Sequence, residues 1–413
     1  MSDPITLTCT WGRAPLPTSS NPQVGYLFVA AQAAAKSETV PLNFCLVLDR
    51  SGSMQGAKLA AMKDATKRVI DTLTPQDAVA IVLFDDQVEV LLPATLAADK
   101  EAIKAQIDRI EEAGGTAMSG GLRAGQAELS RFQAPDRVSS LLLLTDGQTW
   151  GDEDACRAIA SELAQADVRI TALGLGAEWN EKLLDDLAEV TNGTSDYIAD
   201  PAQIATFFQR AVRTAQGTVA QDVRLLLRLA RDVTPRAVHR VSPVIANLGY
   251  QPIGQNEVAV RLGNLESGQP ASVIVDLLIG PRTAGSFRVA QAELHYTLVS
   301  DSNEQVIKQD VLLDFTTDES AAKYDATTMN LVEKVTAFKL QTRALSEAEA
   351  GNVAGATQKL RAAATRLLDL GELELARKTE EQAAQLEQGQ GMTAETQKEL
   401  RYATRRLTQK LEE

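Results

Sequence analysis

Residues 42–54, LNFCLVLDRSGSM, run an almost unbroken apolar stretch straight into Asp49, Ser51 and Ser53. A strand that is apolar along its whole length is one buried on both faces, so the aspartate and serines that end it call for a reason of their own. Side chains two apart on an extended chain project the same way, which lets these three residues set one carboxylate and two hydroxyls around a single point. The next segment, KLAAMKDATKRVIDTL, carries Leu59, Met62, Thr66, Val69, Ile70 and Leu73 on one helical face. Asp49, Ser51 and Ser53 therefore occupy a strand-to-helix loop, and such loops line the ligand crevices of open α/β sheets.

The same alternation continues over residues 41–216. AVAIVLF, VSSLLLLTD, VRITALGLG and TSDYIA read as further strands, and the helical patterns KEAIKAQIDRIEEA, SGGLRAGQAELSRF, DEDACRAIASELAQA, EKLLDDLAEVT and PAQIATFFQRAVRTAQ separate or follow them. Apolar strands alternating with helices predict a largely parallel, doubly wound sheet covered on both faces. Over 217–318 the pattern turns to strand after strand, VRLLLRLA, NEVAVRL, PASVIVDLLIG, FRVAQAELHYTLV and EQVIKQDVLLDF, which predicts an antiparallel β-sandwich. Residues 1–40 hold two more strand patterns, ITLTCTW and GYLFVAAQA, too few for a core. They are expected to complete the later sandwich, making the α/β domain an insertion within it. From 319 to 413 the chain is rich in Ala, Leu, Glu, Gln, Lys and Arg, punctuated by Gly351, Gly371, Gly389 and Gly391. NVAGATQKLRAAATRLLDLG, ELELARKTEEQAAQLEQG and TAETQKELRYATRRLTQKLEE predict a C-terminal α-helical region, either a packed bundle or an arm for binding or assembly.

Two more segments end at the edge where Asp49 lies. EEAGGTAMSGGL is a glycine-rich turn carrying Thr116, and LLLLTDGQTWGD ends a buried strand in Asp146. An unpaired buried carboxylate is costly, so Asp146 needs solvent, a cap or a ligand. Together the loops offer two carboxylates and three hydroxyls, all hard oxygen donors without histidine or cysteine. That set suits Mg2+, with Mn2+ or Ca2+ as substitutes, and disfavours Zn2+ and copper. Mg2+ retains open or water-filled positions, and a partner's Glu or Asp is an appropriate sixth ligand. The alternative, Asp49 and the serines capping the following helix, would not also require Thr116 and Asp146.

DRSGS, the threonine of GGTAMSGGL and the aspartate of LLTDG, in this order and context, resemble the three parts of the metal-ion-dependent adhesion site of von Willebrand factor type A domains. The resemblance covers residues 41–216 and implies a Rossmann-like α/β domain. It further implies that Ser51, Ser53 and Thr116 approach the metal through hydroxyls, with Asp49 and Asp146 acting directly or through water. The domain order is similar to that of bacterial intracellular members, and more loosely to inter-alpha-trypsin inhibitor heavy chains. Among bacterial relatives the resemblance implies adaptor roles, with an AAA+ ATPase as one partner class.

Composition narrows the functional classes. The formal net charge of −14 argues against nucleic acid or an anionic membrane as partner. No apolar run approaches membrane-spanning length, and the start has no signal-peptide pattern. Cys9, Cys45 and Cys156 lack metal-ligand spacing and read as reduced thiols of a cytoplasmic protein. His239 and His295, the two histidines, both fall in the predicted sandwich, away from the serines. GLGAEW lacks the rest of a dinucleotide fingerprint, and no P-loop occurs. NGT at 192–194 reads as a turn rather than a glycosylation site. Asp85 and Asp86 either add to the acidic surround or form a solvated turn. Trp150 and Trp179 fall in predicted loops, as a partner contact or as core. The expected function is a non-enzymatic, metal-dependent protein-interaction or adaptor protein. Its alternatives are a self-assembling structural protein whose metal takes a carboxylate from the tail at 411–413 or from the helices, and a Mg2+-dependent hydrolase.

Overall fold

The structure, a computed structural model, describes residues 4–34, 40–149, 151–254, 256–299 and 301–409. The chain forms two compact units: Lys36–Gln221 with Leu298–Ser302, and Met1–Ala35, Asp222–Thr297 and Asn303–Glu413.

The first unit is built on a six-stranded sheet in the order Thr194–Ile198, Arg169–Leu175, Val138–Thr145, Leu42–Asp49, Ala78–Phe84, Val88–Leu96. All neighbours are parallel except the last pair. Six helices accompany the strands: α1 (Ala57–Thr72), α2 (Lys100–Ile107), α3 (Met118–Ser130), α4 (Glu153–Gln165), α5 (Glu181–Val190) and α6 (Ile204–Gln216). The Leu42 strand lies between the Ala78 strand, which follows it in the chain, and the Val138 strand, which is the third strand after it. The order in which strands are added thus reverses between the parallel pair Leu42–Asp49 and Val138–Thr145, and a crevice opens beyond their carboxyl ends at such a switch point.

Every residue of Leu42–Asp49 is buried, and alternate side chains serve opposite layers. Leu42, Phe44, Leu46 and Leu48 share a core with Met62 and Val69 of α1 and Phe208 and Val212 of α6. Val47 and Cys45 face α3, which approaches so closely at Gly125 that a Cβ there would stand 2.8 Å from Val47 Cγ2 and 3.3 Å from Cys45 Sγ. The antiparallel edge strand Val88–Leu96 is absent from the sequence reading. Its Pro93 and its exposed Val88, Val90 and Leu96 fit an edge position. All three cysteines are free, and burial pushes the Cys9 and Cys156 thiols up to about 12.

The second unit contains a sheet in the order Ile5–Trp11, Gln23–Ala33, Ala271–Ile279, Val233–Ser242, Ala246–Asn247, antiparallel throughout. Strands from before and after the α/β segment therefore pair directly, with Val29 opposite Val273. A second six-stranded sheet has the order Gln251–Gly254, Glu257–Glu266, Thr218–Leu229, Gly285–Leu298, Asp301–Thr316, Leu16–Pro17. Four helices follow: α7 (Ala326–Glu349), α8 (Val353–Asp369), α9 (Leu373–Glu387) and α10 (Ala394–Arg405). Asp325 and Asn352 cap α7 and α8 through their side chains. Gly351, Gly371 and Gly389 end α7, α8 and α9 in the left-handed conformation that glycine adopts without strain. Residues of α7 share a core with Val241 and Ile274 of the first of these sheets.

Two expected outcomes follow from this packing. Gly125→Val should destabilise the α/β unit by about 1–3 kcal/mol, because the added methyls meet packed strand residues; urea unfolding that matches wild type would place α3 farther from the sheet. His239, buried opposite Ile274, has its pKa lowered to about 4 by burial, with Lys339 of α7 adding to the fall. A histidine depressed from its ordinary 6.5 leaves the unfolded chain binding more protons. Stability is then fully present above pH 6.5 and lost as pH falls toward 4, approaching about 3 kcal/mol. The same titration in His239→Gln should show a smaller loss; equal losses would acquit His239.

Candidate metal centre

Asp49 and Asp146 lie at the carboxyl ends of the two strands that flank the switch point. The register that pairs Leu48 with Leu144 brings Asp49 beside Thr145, whose hydroxyl donates to Asp49 Oδ2 at 2.6 Å. Asp49 Oδ1 accepts the Ser51 backbone N–H at 2.8 Å. The carboxylate is fully buried. Burial pushes the Asp49 carboxyl above its ordinary range, against the hydrogen bonds from Thr145 and Ser51 that hold it down, and the nearby charge of Asp146 adds to the rise.

A continuous oxygen chain joins this carboxylate's loop to the second one. Ser51 Oγ and Ser53 Oγ are 3.0 Å apart, and Ser53 donates to Asp146 Oδ1 at 2.6 Å. Thr116 borders the same point, since a Cβ on Gly147 would lie 3.4 Å from Thr116 Oγ1 and 3.9 Å from Ser53 Oγ. The Thr116 loop is fixed there by backbone bonds from Gly52 N to Gly114 O, Ala113 N to Arg50 O and Ala117 N to Asp85 O. The Thr149 hydroxyl also donates to Thr116 O. Gly114 and Gly115 carry no Cβ because the Asp86 carboxylate lies against both.

All five residues singled out in the sequence, Asp49, Ser51, Ser53, Thr116 and Asp146, thus gather at one sheet edge. Helix capping does not account for them. Neither the turn Gly52–Met54 nor α1 takes a side-chain cap, and α1 is preceded by Gly56 at a positive φ of 77°. Two contacts at the site are invisible to motif reading. Thr145 holds Asp49, and Lys58 Nζ pairs with Asp146 Oδ2. Thr145 is read as a strand residue, and Lys58 as a helix-surface one.

The other candidates fall elsewhere. Asp85 is buried and builds its own turn by accepting from Gln87 N, while also pairing with Arg50, which reaches Glu89 as well. Trp179 is core: it packs over Gly174 and Tyr197 and donates to Gly176 O. Trp150 and the tail at 411–413 lie outside the described residues.

The donor set fits a small hard cation. Asp146 Oδ1, Ser51 Oγ, Ser53 Oγ and the Thr116 hydroxyl converge, while Asp49 keeps lone pairs for a bound water. Among the described residues no three of His, Cys, Asp and Glu cluster as a metal cage; a cation held here would rely on hydroxyls and waters. Such a set favours oxygen-seeking ions over soft ones.

Comparison with known proteins agrees with the fold. Residues 43–210 match the model of the von Willebrand factor type A domain, and residues 326–410 match that of the Sll0103-like, C-terminal alpha-helical domain. The uncharacterized protein sll0103 of Synechocystis is 32% identical over 65% of this chain and 64% of its own length. The uncharacterized protein YfbK of Escherichia coli is 25% identical over 54% of this chain and 40% of its own. The chain thus spans less than two thirds of these curated relatives. A solved structure, von Willebrand factor type A from Catenulispora acidiphila, shares the fold over 92% of this chain and 90% of its own, with a TM-score of 0.71 at 23% identity. The α/β segment at 43–210 is a von Willebrand factor type A domain, followed at 326–410 by a segment that matches the C-terminal α-helical domain.

Proposed function

We propose that this chain is a non-enzymatic, Mg2+-dependent protein-interaction module that binds an acidic side chain of a partner protein. Domains of this family are typically metal-dependent interaction modules. The observation that carries the reading here is the Ser51–Ser53–Asp146 oxygen chain beside a buried Asp49. Ser51, Ser53 and Thr116 would hold the cation through hydroxyls, and Asp49 and Asp146 directly or through water. The bound cation supplies an electrophilic site for an outside carboxylate. Mn2+ or Ca2+ can serve in place of Mg2+.

The chain's own residues favour binding over turnover. His239 and His295 belong to the other compact unit, and none of the five site residues is a free general base. The pairing of Gln23–Ala33 with Ala271–Ile279 supports reading the α/β domain as an insertion in a β-sandwich, with residues 319–413 as a helical region available for assembly or adaptor contacts. A cytoplasmic adaptor, with an AAA+ ATPase among its partner classes, remains the family-derived part of the proposal. Direct self-assembly through the metal is the second reading, because the chain's own acidic helices could supply the missing ligand.

Two measurements test this. Calorimetric titration of Mg2+ and Mn2+ into metal-stripped protein should show one site, abolished in Ser51→Ala/Ser53→Ala with circular dichroism unchanged; a folded wild type that binds neither ion would overturn the reading. In sedimentation with and without Mg2+, the adaptor reading expects constant mass, whereas a metal-dependent rise in mass would establish self-assembly instead.

A further inference from the structure

The two oxygens of Asp146 have different partners. Oδ1 accepts from Ser53, on the side of the hydroxyls, while Oδ2 is taken by the ammonium of Lys58. Lys58 is the second residue of α1, whose first turn holds no acidic residue. A cation there sits at the positive end of the helix dipole, an unfavourable place. The Asp146 side chain is fully buried, and that of Lys58 is 33% exposed. The lysine reaches inward against its own helix to meet this carboxylate.

We propose, resting on the metal-site reading above, that Lys58 is a tethered counter-charge that sets how tightly the centre holds its cation and how strongly it then attracts an anion. With both carboxylates ionised, the site residues and Lys58 carry −1 −1 +1, a formal −1; a divalent cation brings this to +1. Without Lys58 the loaded site would be neutral. The lysine therefore weakens metal binding and leaves the loaded centre with a surplus positive charge, which an incoming Glu or Asp neutralises. It also keeps Oδ2 engaged, so Asp146 presents one oxygen to the cation.

Repulsion and positioning predict opposite signs, which makes the proposal testable. Mg2+ alone is titrated calorimetrically at low salt into wild type, Lys58→Gln, which keeps a hydrogen-bond donor without the charge, and Lys58→Arg, which keeps the charge. Removing a like charge a few ångströms from a divalent ion should tighten Mg2+ binding by about tenfold or more in Lys58→Gln, with Lys58→Arg near wild type. The rise in melting temperature caused by Mg2+ should likewise be larger for Lys58→Gln, a readout that survives if its metal-free form is marginal. Mg2+ binding by wild type that is unchanged or weaker in Lys58→Gln overturns the counter-charge and makes Lys58 a positioning residue only. Absence of binding in wild type and both variants overturns the metal-site reading itself, and this proposal with it.

Discussion

The pairing of Leu42–Asp49 with Val138–Thr145 is the constraint on which the site depends. Parallel pairing brings the carboxyl ends of two strands to the same edge, and the reversal of winding order between them sends their following loops to opposite sides and opens a crevice there. Two strands apolar enough to be buried on both faces thereby deliver Asp49 and Asp146 to one place. Burial then makes each carboxylate demand partners. Asp49 finds a backbone N–H and the Thr145 hydroxyl; Asp146 finds Ser53 and Lys58. The core supplies the position, and desolvation supplies the need for a ligand.

What was legible in the sequence follows from this. Five consecutive parallel strands are visible because burial on both faces leaves an uninterrupted apolar run, and a polar residue ending such a run stands out. Asp49, Ser51, Ser53 and Asp146 stand out that way, by chemistry out of place for a core, whereas Thr116 is marked by the glycine-rich turn EEAGGTAMSGGL. The strand Val88–Leu96 was not found. It pairs on one side only, and its exposed residues and Pro93 give it neither an apolar run nor a regular alternation. Helix α7 falls within the helical region expected over 319–413, but its own stretch does not stand out, for a different reason. Its buried positions include Lys334 and Gln341 beside Leu331, Val335 and Leu345, which blurs the apolar stripe by which α8 and α9 are recognised.

Tertiary partners were the hardest to see. Thr145 reads as one more β-branched strand residue, although its hydroxyl holds Asp49. In the sequence Trp179 falls in a loop, where a partner contact and core packing read alike; the glycine at 174, which leaves room for the indole over the strand, decides for core. In GLGAEW the glycines thus mark a close approach of ring to backbone rather than a nucleotide cradle.

The choice of hydroxyls around Asp146 has a physical consequence of its own. A centre with more carboxylates would bind a divalent cation more tightly, but would also quench its charge and repel an acidic partner. Neutral hydroxyls coordinate without quenching. With a cation bound as proposed, Ser51, Ser53 and Thr116 would trade affinity for electrophilicity, and the ammonium of Lys58 on Asp146 would extend the same trade by one full charge. A site composed in this way is suited to a cation that is held only well enough to be offered to something else.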